Sequence, residues 1–179
     1  MSGTNFSQKK IFLIGLPGSG KTTLGKKLAE KAGLPFIDLD QEIEKSASSK
    51  VEVIFSEKGE IYFRKLEHQI FANLIQNPDS FILSLGGGTP CYSNNHEFLK
   101  SKGVNSIYLS ASIPTLYERL LNSNSERPLI VNKNPEEIKE FIAKNLFDRS
   151  YFYNQAQHKI NVDGKSPEEI ISEIETILV

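Results

Sequence analysis

The sequence predicts an α/β fold in which helices cover both faces of a parallel sheet. Short apolar runs alternate with longer amphipathic stretches along the whole chain, the pattern of strand–helix–strand units. The first run, Ile11 to Ile14, stops at a glycine-rich turn and passes directly into helical spacing. The chain has 179 residues, 39% hydrophobic and 24% charged, which suits one ordinary globular domain with a core of its own. No internal repeat, low-complexity tract or linker divides it.

The elements follow in order. After the strand Ile11 to Ile14, Lys21 to Lys31 sets Leu24, Leu28 and Ala32 at helical spacing. Phe36 to Asp38 reads as a second strand. Ser49 with Glu52 has capping-box spacing for a short helix that Gly59 can close, and a longer helix is expected from about Glu60 to Gln76 with Ile61, Leu66, Ile70 and Leu74 inward. Phe81 to Leu85 is an apolar run broken only by Ser84 and ending at Gly86-Gly87-Gly88. Asn94 with Glu97 marks another helix start, Ser106 to Leu109 a strand, and Ser112 the cap of a helix carrying Leu116, Leu120 and Leu121. Asn122 to Pro135 is polar and punctuated by prolines, the composition of a functional loop or lid. Glu136 to about Gln155 is expected to be helical and His158 to Val162 a last strand. Ser166-Pro167-Glu168-Glu169 combines an N-cap, a first-turn proline and a capping-box Glu for a terminal helix to Leu178.

Composition excludes several function classes. A formal net charge of -1 gives no electrostatic reason for nucleic acid or an anionic membrane as partner. Cys91, the single cysteine, cannot form an internal disulfide. Met1 to Lys10 is polar, unlike a signal peptide, and no window approaches the roughly 18 apolar residues that cross a bilayer. A cytoplasmic protein is the expectation. His68, His96 and His158 show no ligand spacing, so no zinc site is readable. Cys91 reads as a packing residue, and at least one of Tyr151, Phe152 and Tyr153 as core.

Gly15-Leu16-Pro17-Gly18-Ser19-Gly20-Lys21-Thr22 matches every fixed position of the phosphate-binding pattern G-x-x-x-x-G-K-[ST]. Glycines let successive N–H groups point into one concavity, and the helix behind aims its positive end at the same phosphates. Lys21 is placed to reach the β and γ phosphates and Thr22 to supply a hydroxyl to Mg²⁺. Gly18, Ser19, Gly20, Lys21, Thr22 and Thr23 form the candidate nucleotide-binding run. No N-K-x-D guanine-reading motif and no D-E strand end of a motor ATPase is present, which leaves the small-molecule kinases.

Asp38 and Asp40 follow the second strand. If the chain stays extended there, their two-residue spacing turns both carboxylates to one side, toward the phosphates. One is suited to metal-bound water and the other to a proton from an attacking hydroxyl; alternatively, Asp40 caps a helix beginning at Gln41. Arg64 and Glu67 share a helix face and can pair, as site residues or as a surface ion pair. Gly86, Gly87 and Gly88 allow backbone to approach a ligand, or mark only a tight turn. Only four of the 21 basic residues are arginine, Arg64, Arg119, Arg127 and Arg149, and arginine's planar fork grips carboxylate or phosphate as lysine cannot. Arg127, in the lid candidate, is placed to swing onto the phosphates.

Taken together, Gly15 to Thr22, Asp38-Leu39-Asp40, Phe63-Arg64 with Glu67, Ser84-Leu85-Gly86-Gly87-Gly88, Arg127-Pro128-Leu129, and Arg149 with Tyr153 closely resemble the shikimate kinases, over about Lys10 to Val179. The resemblance implies a five-stranded parallel sheet flanked by helices, a mobile lid at about 122–135 and a substrate-binding helical region at about 41–76. It implies transfer of the ATP γ-phosphoryl to the 3-hydroxyl of shikimate, with Mg²⁺, by a monomer. Asp40 would bind the ring hydroxyls, Arg64 and Arg149 the carboxylate, and Gly86 to Gly88 would line that pocket. Asp38 and Thr22 would serve Mg²⁺, Lys21 and Arg127 the transferring phosphoryl, and Arg119 the adenine. Lys21, Asp40 and Arg127 are thus the expected catalytic residues. Tyr151 stands where the family often has proline, and Thr89-Pro90 follows the triple glycine where smaller residues are usual. Asp163 to Pro167 looks shorter than in some members, so Lys165 receives no role. The competing readings are a gluconate or nucleoside monophosphate kinase and a non-catalytic nucleotide-binding module.

Overall fold

A computed structural model describes residues 9–122 and 132–178. Five strands form one parallel sheet: β1 (Lys10–Ile14), β2 (Phe36–Asp38), β3 (Phe81–Ser84), β4 (Val104–Ser110) and β5 (His158–Asn161). Their spatial order is β2-β3-β1-β4-β5. The helices are α1 (Lys21–Ala32), α2 (Leu39–Ala47), α3 (Val51–Gln76), α4 (Ile113–Leu121), α5 (Pro135–Tyr153) and α6 (Pro167–Leu178). Two 3₁₀ segments, Thr89–Cys91 and Asn95–Lys100, join β3 to β4. Among the described residues no helix is long and apolar enough to cross a membrane.

The central strand β1 is apolar on both faces, as a strand covered on both sides must be. Phe12 turns one way, its ring 5.5 Å from Phe71 of α3 and 6.4 Å from Phe81 of β3. Leu13 turns the other way, toward α1, where a Cβ on Gly25 would stand 3.3 Å from Leu13 Cδ1 and only 2.4 Å from the Phe36 ring. A residue without a side chain therefore lets α1 lie close on the sheet. On its outer side α1 is tied to α6 by Lys27–Glu168 and Lys31–Glu175, both 2.6 Å.

The strand order decides where a site can form. The chain runs from β1 to β2 on one side of the sheet, returns to insert β3 between them, and then crosses to β4 on the other side of β1. The carboxyl end of β1 thus lies where the connections diverge, the place where ligands settle in open α/β sheets. The register pairs Leu13 with Ser84 and Ser84 with Asp38, so the turn after β1, the triple glycine after β3 and the aspartates after β2 leave the sheet at one level.

Helix boundaries follow caps. Ser112 accepts from Thr115 N at 3.4 Å, Asn134 and Glu137 form a reciprocal box at 2.8 and 2.9 Å, and Ser166 with Glu169 forms another at 2.7 and 3.2 Å. The expected capping box at Ser49 and Glu52 is not formed; Lys50 occupies the N-cap with no side-chain capping bond, while Glu44 accepts from Val51 N at 3.0 Å. Nor does Asn94 cap through its side chain.

Gly59 (φ 82°, ψ 169°) breaks α3 into the two expected helical pieces. That break also corrects the inward face, because Ile61 is 88% exposed while Phe63, Glu67 and Phe71 are buried. The helical phase restarts after Gly59, leaving Ile61 two residues ahead of the buried stripe. Leu121 is likewise 53% exposed at the end of α4.

Truncating Phe12 removes a fully buried ring from the middle of the sheet, so Phe12→Ala should cost about 3–5 kcal/mol in urea unfolding. Ile61→Ala should change stability by less than about 0.5 kcal/mol.

Candidate active site

The turn from β1 to α1 forms a cradle. Gly18 (φ 90°) and Gly20 (φ 97°) take left-handed backbone that a side chain would strain, and this lets the loop curl before the first turn of α1. Lys21 arches back over the loop, its Nζ donating to the carbonyls of Gly15 at 2.7 Å and Leu16 at 3.1 Å. Arg119 of α4 donates through Nη1 to the carbonyls of Gly18 at 3.2 Å and Ser19 at 3.3 Å. A cavity of about 440 Å³ opens here, lined by Gly18, Gly20, Lys21, Thr22, Thr23 and Arg119, with Pro17, Leu24, Lys165, Pro167 and Ile170 completing its wall. Ser19 is 1% exposed, beneath the loop rather than in the cavity. The cavity combines loop amides, a helix N-terminus and three cations, Lys21, Arg119 and Lys165, with an apolar end, which suits a polyphosphate attached to a flat apolar group.

One strand over, Gly86, Gly87 and Gly88 meet a different charged side chain each. A Cβ on Gly86 would stand 3.0 Å from Asp40 Oδ1, one on Gly87 2.8 Å from Arg149 Nη1, and one on Gly88 2.7 Å from Arg64 Nη2. The three glycines thus admit one carboxylate and two guanidiniums to the same stretch of backbone. A Cβ on Gly87 would also lie 3.2 Å from Pro17 of the phosphate loop, so the two turns adjoin. Tyr153, fully buried, donates from its hydroxyl to the Gly87 carbonyl at 2.6 Å, and burial raises its pKa above the ordinary phenol value.

Arg64 is held from several directions. Its Nη1 donates to Glu67 Oε1 at 2.9 Å, and Glu60 Oε1 lies 3.5 Å from Nε. Glu67 is 1% exposed, and its Oε2 accepts from the Thr89 hydroxyl at 2.8 Å. The surface ion pair considered from sequence is therefore a buried one. Rings of Phe63 and Tyr92 lie 5.1 and 3.9 Å from the guanidinium carbon.

The aspartates do not form an extended pair. Asp38 ends β2 and caps α2, its Oδ1 accepting from Gln41 N at 3.2 Å, whereas Asp40 already lies in the first helical turn. The cap considered for Asp40 belongs to Asp38, and the extended geometry that would align the two carboxylates is interrupted at Leu39. Asp40 reaches the triple glycine from the helix instead. Its pKa is raised to about 6, first by burial, then by the charges of Asp38 and Glu67, against the Lys21 ammonium, which lowers it. Cys91 is pushed up to about 11 by burial despite Arg149 and Arg64 nearby, which leaves it a thiol at neutral pH.

Lys21, Thr22, Thr23 and Arg119 thus line one cavity, and Asp40, Arg64, Arg149 and the glycines gather at the adjoining turn. Arg127 lies outside the described residues, as does most of the lid expected at 122–135. Sequence reasoning gave no role to Lys165, although Gly164 (φ 67°) turns the chain after β5 so that Lys165 joins the cavity wall. It also missed Thr89 and Asn95, both fully buried; their signal was a polar cluster just after a glycine turn. No cluster of His, Cys, Asp and Glu able to hold a metal by itself occurs among the described residues.

Residues 17–178 match the family model described as shikimate kinase. A shikimate kinase of Flavobacterium johnsoniae is 52% identical over 170 residues, covering 95% of this chain and 99% of the relative. The crystal structure of shikimate kinase from Bacteroides thetaiotaomicron superposes with a TM-score of 0.88 at 35% identity, covering 95% of this chain and 98% of that one. That of Acinetobacter baumannii shikimate kinase in complex with shikimate gives 0.82 at 29% identity, covering 95% and 92%. With the whole fold and nearly the whole length matched in this way, the chain belongs to the shikimate kinase family.

Proposed function

We propose that this chain transfers the γ-phosphoryl group of ATP to the 3-hydroxyl of shikimate, giving shikimate 3-phosphate and ADP, a step toward aromatic amino acids. The observation that carries the reading is the convergence of Arg64, Arg149 and Asp40 on the triple glycine, beside the loop that holds Lys21. Two guanidiniums suit the carboxylate of an acid, and a carboxylate one residue along the same turn suits the hydroxyls on its ring. Shikimate carries both.

In this reading ATP lies in the cavity between α1, α4 and α6, its phosphates on the amides of Gly18 to Thr23 and its base between Arg119 and Pro167. Lys21 leaves the Gly15 and Leu16 carbonyls for the phosphate oxygens. Phosphoryl transfer has a loose transition state, so charge neutralisation and alignment matter more than a strong base. Lys21 supplies charge to the transferring group, and Arg127 is the lid residue proposed to join it on closure of 122–135. Asp40 accepts a hydrogen bond from the attacking hydroxyl and holds it in line. The helical region 41–76 carries Arg64 and forms the outer wall of the acid site.

Mg²⁺ fits the residues present. It takes few protein oxygens and keeps waters and phosphates for the rest, and the Thr22 hydroxyl with the Asp38 carboxylate is such a sparse, hard donor set. Bound there, it would neutralise charge on the β and γ phosphates.

Coupled ADP release with MgATP tests the reading, with shikimate, gluconate and AMP in parallel and Lys21→Ala as blank. Turnover with shikimate alone is expected; preference for gluconate or AMP would overturn the acceptor assignment, and no turnover with any acceptor would favour a nucleotide-binding module. Arg64→Lys should raise the shikimate KM at least tenfold with little change in the ATP KM, because a point charge replaces a fork. Asp40→Asn should remove most of kcat and leave nucleotide binding intact by calorimetry.

A pKa of about 6 for Asp40 in the folded protein, above the ordinary 3.8, makes two further outcomes. If the ionised form works, kcat/KM for shikimate falls with unit slope below about pH 6. Folding favours the protonated form, so its stabilising effect is fully present below about 3.8, is lost as pH rises to about 6, and does not change further above that. Asp40→Asn should accordingly gain about 3 kcal/mol at pH 8 and little at pH 4 in chemical denaturation.

A further inference from the structure

Thr89 and Tyr92 have no part in the reaction as proposed and lie just after the triple glycine. Both touch the Arg64–Glu67 pair. The Tyr92 ring centroid is 3.9 Å from the Arg64 guanidinium carbon, the distance of a stacked plane, and Tyr92 is otherwise 40% exposed. Its packing is therefore spent on Arg64 rather than on the core. Thr89 is fully buried and its hydroxyl donates to Glu67 Oε2 at 2.8 Å, while the other Glu67 oxygen receives Arg64 Nη1 at 2.9 Å.

Thr89 is itself held. Its carbonyl accepts from Asn95 Nδ2 at 3.0 Å, and Asn95 Oδ1 lies 2.6 Å from His68 Nδ1. Since the Asn95 amide nitrogen already donates to Thr89, its oxygen is the acceptor, and Nδ1 of His68 carries the proton. The line Arg64, Glu67, Thr89, Asn95, His68 runs from α3 across the 3₁₀ segments and back to α3. The side-chain polar atoms of Glu67, Thr89 and Asn95, its fully buried members, are all partnered, the condition under which such a network rigidifies its surroundings, whereas Arg64 Nε is buried without a hydrogen bond.

We propose that Thr89 and Tyr92 are positioning residues that fix Arg64 before the acid arrives, Thr89 by orienting the Glu67 carboxylate and Tyr92 by stacking on the guanidinium face. A long arginine side chain loses rotamer freedom when it grips a ligand; one already stacked and paired loses it on folding instead, so the acid binds more tightly. The stacked face leaves the edge of the fork toward the glycines as the place for a carboxylate. This rests on the reading of Arg64 as the residue that binds the acid.

The test compares Tyr92→Ala and Thr89→Val with Tyr92→Phe and Thr89→Ser in the full chain, with steady-state kinetics and the Arg64 side-chain Nε–H resonance in substrate-free protein. Tyr92→Ala and Thr89→Val should each raise the shikimate KM about five- to tenfold, with the ATP KM within about twofold. Tyr92→Phe, which keeps the stacking ring, and Thr89→Ser, which keeps the hydroxyl, should stay within about twofold of the unaltered protein. The Arg64 resonance should shift in Tyr92→Ala as the ring current is lost. A shikimate KM unchanged in both disruptive variants, or equal increases in both KM values, overturns the proposal. If the unaltered protein does not phosphorylate shikimate, the function reading fails, and the Arg64 resonance still decides whether Tyr92 holds that side chain.

Discussion

The backbone of Gly86 to Gly88 runs within contact distance of three charged side chains, and the rest of the acid site depends on that approach. Any Cβ there would meet Asp40, Arg149 or Arg64 at 3.0 Å or less. The demand is local, since none of these three glycines has the left-handed backbone that usually explains glycine. Space is the reason for them. The same lack of side chains lets the turn adjoin Pro17 of the phosphate loop, which brings an acceptor site beside a donor site.

Holding like and unlike charges this close has an energetic consequence. Asp40 stands near Asp38 and Glu67 and is partly removed from water, so its carboxyl is held well above its ordinary range. Arg64 and Glu67 are paired with each other, with Thr89 completing the acceptor side of Glu67. One carboxylate is held by a guanidinium and a hydroxyl; the other is buried among like charges. Active sites commonly concentrate such unfavourable charge and depend on a stable scaffold to retain it.

The scaffold here is the sheet and its two covered faces. β1 packs aromatic rings on one side and α1 on the other, and β3 is inserted beside it with Ser84 opposite Leu13. Because strand ends share a level, the loops that follow are short and their functional groups are carried by helix starts and tight turns. Asp40 in the first turn of α2 and Lys21 at the start of α1 are both placed this way. Rigid elements, not long loops, hold every site residue that the structure describes.

Much of this was legible in the sequence because it is written in local patterns. Alternation of apolar runs with amphipathic stretches determined the α/β class, glycine spacing determined the phosphate loop, and Ser112 and Ser166 marked helix starts through their own hydrogen bonds. The scarcity of arginine pointed to Arg64, Arg119 and Arg149 as special before any contact was known. What stayed hidden depends on phase and on distant partners. Ile61 looked inward until Gly59 reset the helix, and Asp38 and Asp40 looked like an extended pair until the chain turned at Leu39. Thr89, Asn95 and Tyr153 gave little local sign of their roles, since their hydrogen bonds or neighbouring elements lie across the 3₁₀ segments, α3 and α5. Local preference acts over a few residues and survives in the sequence; the pairing of buried polar groups is decided by which elements meet, and only the order of strands in the sheet determines that.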